Sequence, residues 1–183
     1  MHLSLSAKSQ ARLGAVAIAF AIAAVAQAQV TKESVPGITN FSKVGTTIAC
    51  AGATSPAAVA EIKKLGYHSI INLRQASENG ADVDAEAAAA KTAGINYVHL
   101  PLNSATPDPA VVPQFIAAVS APANQPAFVH CASANRASAL WLIKRVQVDG
   151  WEFDRAAAEA ADLGLTSPAL KTFARDYIAA HPR

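Results

Sequence analysis

Short apolar runs alternate with amphipathic, alanine-rich segments along most of the chain. Runs of strand length predict β-strands at residues 46–51, 68–73, 95–100 and 126–130. Apolar residues at helical spacing predict helices at residues 57–65, 84–93, about 106–120, 136–148, 153–163 and 167–180. This alternation predicts a single α/β domain, in which a mostly parallel central sheet is flanked by helices on both faces.

Helix boundaries are marked by residues with well-understood backbone preferences. Ser55-Pro56 and Ser167-Pro168 each place an N-cap residue before a proline at the first helical position. Gly66, Gly94 and Gly164 follow predicted helices at positions that favour a left-handed C-terminal cap. These signals support the helix assignments on both sides of the predicted sheet.

The first 28 residues have a different pattern. Lys8 and Arg12 precede the apolar run Leu13–Val25, and Ala26–Ala28 has the small-x-small spacing of a cleavage site. These features predict a secretory signal peptide that is cleaved after Ala28. The apolar run is shorter than the roughly 20 residues of a spanning helix, so no stable membrane insertion is expected after cleavage. We therefore expect an exported protein, in the bacterial periplasm or secreted.

The charge balance changes when this leader is removed. The whole chain has 15 Lys and Arg against 13 Asp and Glu, but loss of Lys8 and Arg12 leaves 13 of each. A balanced mature chain gives no argument for a nucleic-acid partner. The remaining length, about 155 residues, suits one domain. We place this domain at 29–183, with its core at about 37–178.

The segment from Phe128 to Arg136 contains the chain's most specific chemistry. Cys131 ends an apolar strand, and Arg136 opens the next helix after a short loop of small residues. Free amide groups in such a loop and at a helix N-terminus bind anions, and arginine adds a two-point contact. The same positive field stabilises a thiolate. The segment therefore predicts a cradle for a tetrahedral oxyanion next to a cysteine nucleophile.

These residues resemble a known family. His130-Cys131, the loop and Arg136 are similar to the signature of the protein tyrosine and dual-specificity phosphatases. The chain most resembles a bacterial branch, the beta-lactamase hydrolase-like, tyrosine-phosphatase-like domains. Residues 71–74 (Ile-Asn-Leu-Arg) with Glu78 resemble the "INLR…E" segment of that branch, and residues 97–101 resemble its next strand. The resemblance covers about residues 37–178.

The resemblance implies a phosphatase that cleaves phosphomonoesters through a phosphocysteine intermediate on Cys131. Arg136 would bind the phosphoryl oxygens. The implied substrate-binding set comprises His130, Ala132, Ser133, Ala134, Asn135 and Arg136, with His130 shaping the loop by hydrogen bonding. The implied substrate is a phosphorylated small molecule or a phosphoprotein. No metal or organic cofactor is implied.

Two departures from the phosphatase pattern keep alternatives open. Four residues separate Cys131 from Arg136 instead of five, and Ala134 stands where the family loop has glycine. If position 134 needs a positive φ, alanine costs about 1 kcal/mol or more. The four-residue loop also resembles that of rhodanese sulfurtransferases. A catalytically weak oxyanion-binding module is the third hypothesis.

The general acid is less clearly marked. Asp108 is the candidate because it lies in the connection after the strand that ends at Leu100, although a first-turn acid would also favour the helix dipole there. Glu78, Asp82 and Asp84 are weaker candidates in another loop. Arg74 is expected to brace a loop, with an ion pair near the site as the alternative.

Cys50 ends the first predicted strand and is a possible redox partner of Cys131. The alternative is a buried small apolar residue. The spacing of the cysteines and histidines matches no structural-zinc pattern, and no metal site is predicted.

Overall fold

A computed structural model describes residues 29–183, in which six strands form one sheet. The strands are β1 (Val30–Lys32), β2 (Ser42–Val44), β3 (Ile48–Ala51), β4 (Ser69–Asn72), β5 (Asn96–His99) and β6 (Ala127–His130). The helices are α1 (Val59–Lys64), α2 (Val83–Ala93), α3 (Val111–Ser120), α4 (Asn135–Gln147), α5 (Phe153–Asp162) and α6 (Pro168–Ala180). The predicted signal peptide, residues 1–28, lies outside the described residues. No helix between residues 29 and 183 is both long and apolar enough to span a membrane.

The strand order is β1-β2-β3-β6-β4-β5. The four strands β3, β6, β4 and β5 are parallel, whereas β1 and β2 add an antiparallel edge. The predicted α/β domain with a mostly parallel sheet is therefore confirmed. The edge strands β1 and β2 were not predicted, because each has only three residues and neither forms a distinct apolar run.

The sheet has a buried core on each face, because successive side chains of a strand point to opposite sides. One core packs α1 and α2 against alternate strand residues, including Ala49, Ile70 and Phe128. The other packs α3 to α6 against the intervening residues, including Ile71 and Val129. Burial on both faces explains why β4 and β6 are continuous apolar runs in the sequence.

The carboxyl ends of the parallel strands meet at one edge of the sheet. His130 of β6 is in register with Ala51 of β3 and Asn72 of β4, and Asn72 is in register with His99 of β5. The segments that follow these strands therefore converge, and this edge is where open α/β sheets bind ligands.

One boundary differs from the prediction. Helix α3 begins at Val111, several residues after the start predicted at Thr106-Pro107. The reason is that Pro107 and Pro109 restrict the residues before them to extended conformations. Asp108 then starts the turn by accepting a hydrogen bond from Ala110 N (2.9 Å).

Candidate active site

The loop at residues 131–135 starts where the central strand β6 ends. Cys131 N donates a hydrogen bond to Ala51 O (3.1 Å), which prolongs the pairing of β6 with β3 by one residue. On the other side, Leu73 N donates to His130 O (2.9 Å). Helix α4 begins at Asn135, so the predicted strand–loop–helix arrangement is confirmed. Both neighbouring strands therefore fix the position of the Cys131 backbone.

The carbonyl groups of this loop are held by surrounding segments. They accept hydrogen bonds as follows: Ala132 O from Ala53 N (3.0 Å), Ser133 O from Asn40 Nδ2 (3.5 Å) and Ala134 O from Ser138 N (2.9 Å). Within the described residues, the amide groups of Ala132 and Asn135 donate to no protein acceptor, and Ser133 is held by a β-bridge to Gly52. A loop with tied carbonyls and free amides is a ready binding site for an anion.

Ala134 adopts the conformation that glycine favours. Its φ is 70° and its ψ is −16°, in the left-handed region, which costs a residue with a Cβ about 1–2 kcal/mol. The positive φ considered for this position is thus confirmed. A Cβ added to Gly164 would lie 3.2 Å from the Ala134 Cβ, so the missing side chain at Gly164 makes room for the Ala134 methyl group.

The guanidinium of Arg136 is buried and firmly held. Its Nη1 donates to Glu78 Oε1 (2.5 Å), Leu73 O (3.0 Å) and Leu102 O (2.8 Å), and its Nη2 donates to Glu78 Oε2 (2.8 Å). Burial opposes the charge of Arg136, but hydrogen bonding with Glu78 and the charge of Cys131 outweigh burial and raise the pKa of Arg136. Among the described hydrogen bonds, none uses Nε, which leaves this N–H for a ligand.

Glu78 is the counter-ion of this arginine. It accepts two hydrogen bonds from Arg136, one from Arg74 Nε (3.3 Å) and one from Gln75 N (2.8 Å). Partial burial alone would raise the pKa of Glu78, but hydrogen bonds from Arg136 and Gln75 lower it to about 2. A carboxyl group that is ionised throughout the neutral range is unsuited to donate a proton. The contacts of Glu78 are therefore those of a residue that orients Arg136, and its weaker candidacy as general acid stays a prediction.

Arg74 braces the loop that carries Glu78, as predicted. Its Nη1 donates to Gly80 O (2.9 Å) and its Nη2 to Asn79 O (2.6 Å). The side chain is buried, so the loop closes around it. The sequence indicated Arg74 and Glu78 through their resemblance to the family's "INLR…E" segment. It did not indicate that Glu78 pairs with Arg136, which lies 58 positions away.

His130 is fully buried beneath the loop and lies beside an unpredicted carboxylate. Its Nε2 is 2.8 Å from Glu86 Oε1, although the two groups are not aligned for a hydrogen bond, and Nδ1 has no partner either. The hydrogen bonding predicted for the His130 side chain is therefore not observed. Glu86 Oε2 accepts from Asn72 Nδ2 (2.7 Å) and Tyr97 Oη (3.3 Å). Burial, followed by the charge of Glu86, raises the pKa of Tyr97. One sequence feature could have identified Glu86 as a buried residue. It lies four positions before Ala90 and therefore on the same inner face of α2.

Cys131 and Cys50 are both buried, free thiols in the same core. Cys50 is in register with Val129, two residues before Cys131. Burial, followed by the charge of Cys131, raises the pKa of the Cys50 thiol. In a regular sheet this register separates the two Cα atoms by roughly 8 Å, beyond the span of about 7 Å that a disulfide bridges without backbone movement.

Asp108 lies in the exposed connection 100–110. Leu102 of this connection contacts Arg136 through its carbonyl oxygen, so the segment reaches the loop. The Asp108 carboxylate itself accepts from Ala110 N, which is the helix-start role considered for it. Its role as a general acid stays a prediction.

The side chain of Asn135 anchors the loop and does not face a ligand. Asn135 Oδ1 accepts from Thr166 N and Ser167 N, both at 2.7 Å, and Nδ2 donates to Ser133 Oγ (3.2 Å). Its contribution to the predicted substrate-binding set is therefore limited to its backbone amide. Asp82 caps α2 through Ala85 N (3.0 Å), which explains its position in the sequence. Within residues 29–183, no group of three His, Cys, Asp or Glu side chains is placed to hold a metal ion.

Taken together, the loop presents free amide groups, one oriented guanidinium and one thiol around a common centre. Such an arrangement can bind a tetrahedral oxyanion at the point where the sulfur would attack it. Residues 40–148 match the family model of the beta-lactamase hydrolase-like protein, phosphatase-like domain. No functionally curated protein matches the chain.

Several solved structures have the same fold. A candidate phosphatase (DUF442) from Shewanella putrefaciens CN-32 is 22% identical, with a TM-score of 0.66 over 80% of this chain and 94% of that chain. TpbA from P. aeruginosa is 20% identical, with a TM-score of 0.62 over 82% and 89%. The catalytic domain of the PP-IP phosphatase SIW14 from S. cerevisiae is 20% identical, with a TM-score of 0.64 over 78% and 87%. At these identities the similarity concerns the fold.

Proposed function

Because this chain belongs to the family of beta-lactamase hydrolase-like, phosphatase-like domains, we propose that it hydrolyses phosphomonoesters with Cys131 as the nucleophile. One observation carries the proposal. The Cys131 thiol lies at the start of a loop with free amides, and the guanidinium of Arg136, at the end of this loop, is held by Glu78. This is the distribution of positive charge that a transferring phosphoryl group requires.

The proposed reaction has two steps. The Cys131 thiolate attacks phosphorus, so that an S–P bond forms while the P–O bond to the leaving group breaks. Water then attacks phosphorus in the phosphocysteine, the S–P bond breaks and orthophosphate is released. In both steps the amides of 132–135 and the Nε of Arg136 stabilise the charge on the phosphoryl oxygens.

Asp108 is the proposed general acid, and would give its proton to the leaving-group oxygen in the first step. Its segment is connected to Arg136 through Leu102, which supports this assignment. For proton transfer its carboxyl group has to leave Ala110 N, its present partner.

The proposed substrates are phosphorylated small molecules or phosphoproteins. Two structural neighbours support this range: a cysteine-to-serine form of TpbA is known in complex with phosphotyrosine, and SIW14 is a PP-IP phosphatase. The proposal includes dual specificity, which the resemblance to the dual-specificity phosphatases suggests.

Export to the periplasm or the medium is also proposed, on the pattern of residues 1–28. The test is a fusion of these residues to a reporter that is active only outside the cytoplasm. The expected result is reporter activity that is lost when Lys8 and Arg12 are both replaced by glutamate.

The decisive experiment measures hydrolysis of 4-nitrophenyl phosphate by the natural protein and by Cys131→Ser. We expect activity in the natural protein and its loss in the variant, while Cys50→Ser, a matched change at the other cysteine, retains activity. Equal rates in the natural protein and Cys131→Ser would refute the proposal. Phosphate binding without turnover would favour the weak oxyanion-binding module.

The same samples test sulfur transfer. Formation of thiocyanate from thiosulfate and cyanide, dependent on Cys131, would identify a rhodanese-like sulfurtransferase instead. This assay is needed because the four-residue loop suits either oxyanion.

A further inference from the structure

The edge of the sheet that carries the loop is poor in positive charge. Five segments converge there: 52–55, 73–82, 100–110, 131–136 and 162–168. Contacts between them include Ala53 N with Ala132 O, Arg136 with the carbonyls of Leu73 and Leu102, and Asn135 with Thr166. In these five segments the only basic residues are Arg74 and Arg136.

Neither arginine extends to the outside of the site. Arg74 is 5% exposed and Arg136 is 4% exposed, and both donate to the same carboxylate, Glu78. One negative charge is thus already shared between the two positive charges. The unused N–H groups of Arg136 are that of Nε and the second one of Nη2, which together serve a single phosphoryl group.

The exposed charges of the same segments are negative. Asp82, Asp108 and Asp162 are all exposed. The other exposed side chains of the rim are small or neutral, among them Ser77, Asn79, Ser104, Thr106 and Thr166. A polyanion that reached the loop would meet acidic and neutral groups around its remaining phosphates.

A cleft of about 570 Å³ opens on the Ser133 side of the loop, and its lining includes one lysine, Lys32. The same cleft is lined by Glu33 and Asp162, so its charges do not sum to a cationic surface. A second nearby lysine, Lys43, is paired with Glu33. The cleft therefore adds no cationic subsite for a second phosphate.

We infer that the site takes a single phosphoryl group carried on an uncharged organic group, as in an aryl or alkyl monophosphate, and discriminates against polyphosphorylated substrates. The inference rests on the proposed phosphatase function and narrows it. Its physical basis is that every phosphate beyond the first would lose hydration near acidic side chains without gaining a cation. Sites that attract polyanions do so by clustering positive charge.

The test compares kcat/KM for phenyl phosphate and inositol hexakisphosphate at the same pH and ionic strength. We expect phenyl phosphate to be preferred by tenfold or more, on the order of the effect that charge focusing exerts on association. Ala76→Lys/Ser104→Lys adds two lysines to exposed rim positions. This variant should raise kcat/KM for inositol hexakisphosphate several-fold and leave the phenyl phosphate value within about twofold.

A matched control places the same two charges at the opposite edge of the sheet, as Thr46→Lys/Ala123→Lys. This control should leave kcat/KM for both substrates unchanged, because its lysines are far from the loop. A preference of the natural protein for inositol hexakisphosphate, abolished by Cys131→Ser, would overturn the inference and leave the proposed phosphatase function intact.

If neither compound is hydrolysed, this result counts against the proposed function. A binding measurement then still tests the inference. Calorimetry on Cys131→Ser should then show phenyl phosphate binding at least as tightly as inositol hexakisphosphate. Tenfold tighter binding of inositol hexakisphosphate would overturn the inference independently of turnover.

Discussion

Glu78 accepts two hydrogen bonds from Arg136, one at Oε1 from Nη1 (2.5 Å) and one at Oε2 from Nη2 (2.8 Å). This two-point contact fixes the plane of the guanidinium and leaves Nε pointing along the remaining edge. The same carboxylate accepts from Arg74, the residue that closes its loop. The orientation of the anion-binding arginine therefore depends on a loop that is distant in sequence.

Replacing Glu78 with glutamine should impair the enzyme without removing any reacting group. The amide offers Arg136 one acceptor and one repelling donor, so the guanidinium should tilt. We expect kcat/KM for 4-nitrophenyl phosphate to fall on the order of 100-fold, the effect of a small misplacement of a catalytic group. The matched change Glu61→Gln, at an exposed pair with Lys64, should leave kcat/KM unchanged. Full activity of Glu78→Gln would show that Arg136 is oriented by its carbonyl partners alone.

The Glu78 carboxyl group should also make stability depend on acidity. Its pKa is lowered from 4.5 to about 2 in the native state, so its contribution is complete above about pH 4.5 and is lost as the pH falls towards 2. Because solvent screens this partly exposed group, we expect its contribution to the free energy of unfolding to be about 2 kcal/mol. The free energy of unfolding, measured with urea at pH 6 and pH 3, should fall less between these two pH values in Glu78→Gln than in the natural protein. Parallel losses in the two proteins would contradict this assignment.

Ala134→Gly should stabilise the protein, which is unusual for a change to glycine. Removing the Cβ relieves a left-handed backbone, and the gain exceeds the entropic cost of glycine by about 0.5–1 kcal/mol. Ala132→Gly is the control in the same loop, and it should destabilise because residue 132 has no positive φ. Thermal or urea unfolding measures both changes. A loss of stability in Ala134→Gly would mean that the methyl group packs more favourably than the backbone is strained.

Glu86 should be important for stability. It is 3% exposed, accepts from Asn72 and Tyr97, and lies beside His130. Glu86→Ala removes the acceptor of Asn72 and Tyr97 and the carboxylate beside His130, and we expect a loss of about 3 kcal/mol in the unfolding free energy. The exposed first-turn residue Asp84 provides the control, since Asp84→Ala should cost less than about 1 kcal/mol. Similar losses in the two variants would exclude the buried network as the cause.

Cys50 stays a predicted redox partner of Cys131. Because the register separates their Cα atoms by roughly 8 Å, the loop has to move before a disulfide closes. We expect mild peroxide to inactivate the natural protein, and dithiothreitol to restore its activity. In Cys50→Ala the same treatment should inactivate the protein irreversibly. Peptide mapping without reduction identifies the bridge. Irreversible inactivation of both proteins, with no bridged peptide, would eliminate Cys50 from this role.

The sequence predicted those parts of the molecule that local patterns determine. Helices α2 and α4 and strands β4 and β6 follow from apolar spacing and from caps such as Gly94, which is left-handed. Cys131 and Arg136 could be identified because both lie within six consecutive positions, 131–136. The pairing of Glu78 with Arg136 and the burial of Glu86 beside His130 depend on how α2 and the 73–82 segment pack onto the sheet, which no local pattern encodes. The late start of α3 came from prolines whose effect on the preceding residues was underestimated.

The position of β6 has a consequence for the order in which the protein matures. This strand is the last of the six strands in residues 29–183, yet it lies between β3 and β4 in the middle of the sheet. A nascent chain that lacks it has a gap where the two halves of the sheet would join, and Cys131, the proposed nucleophile, has not yet been synthesised. Truncations before residue 130 should therefore lose the sheet and the reactive thiol together. Reactivity arises only as the architecture is completed, so an incomplete chain carries no half-formed catalytic centre.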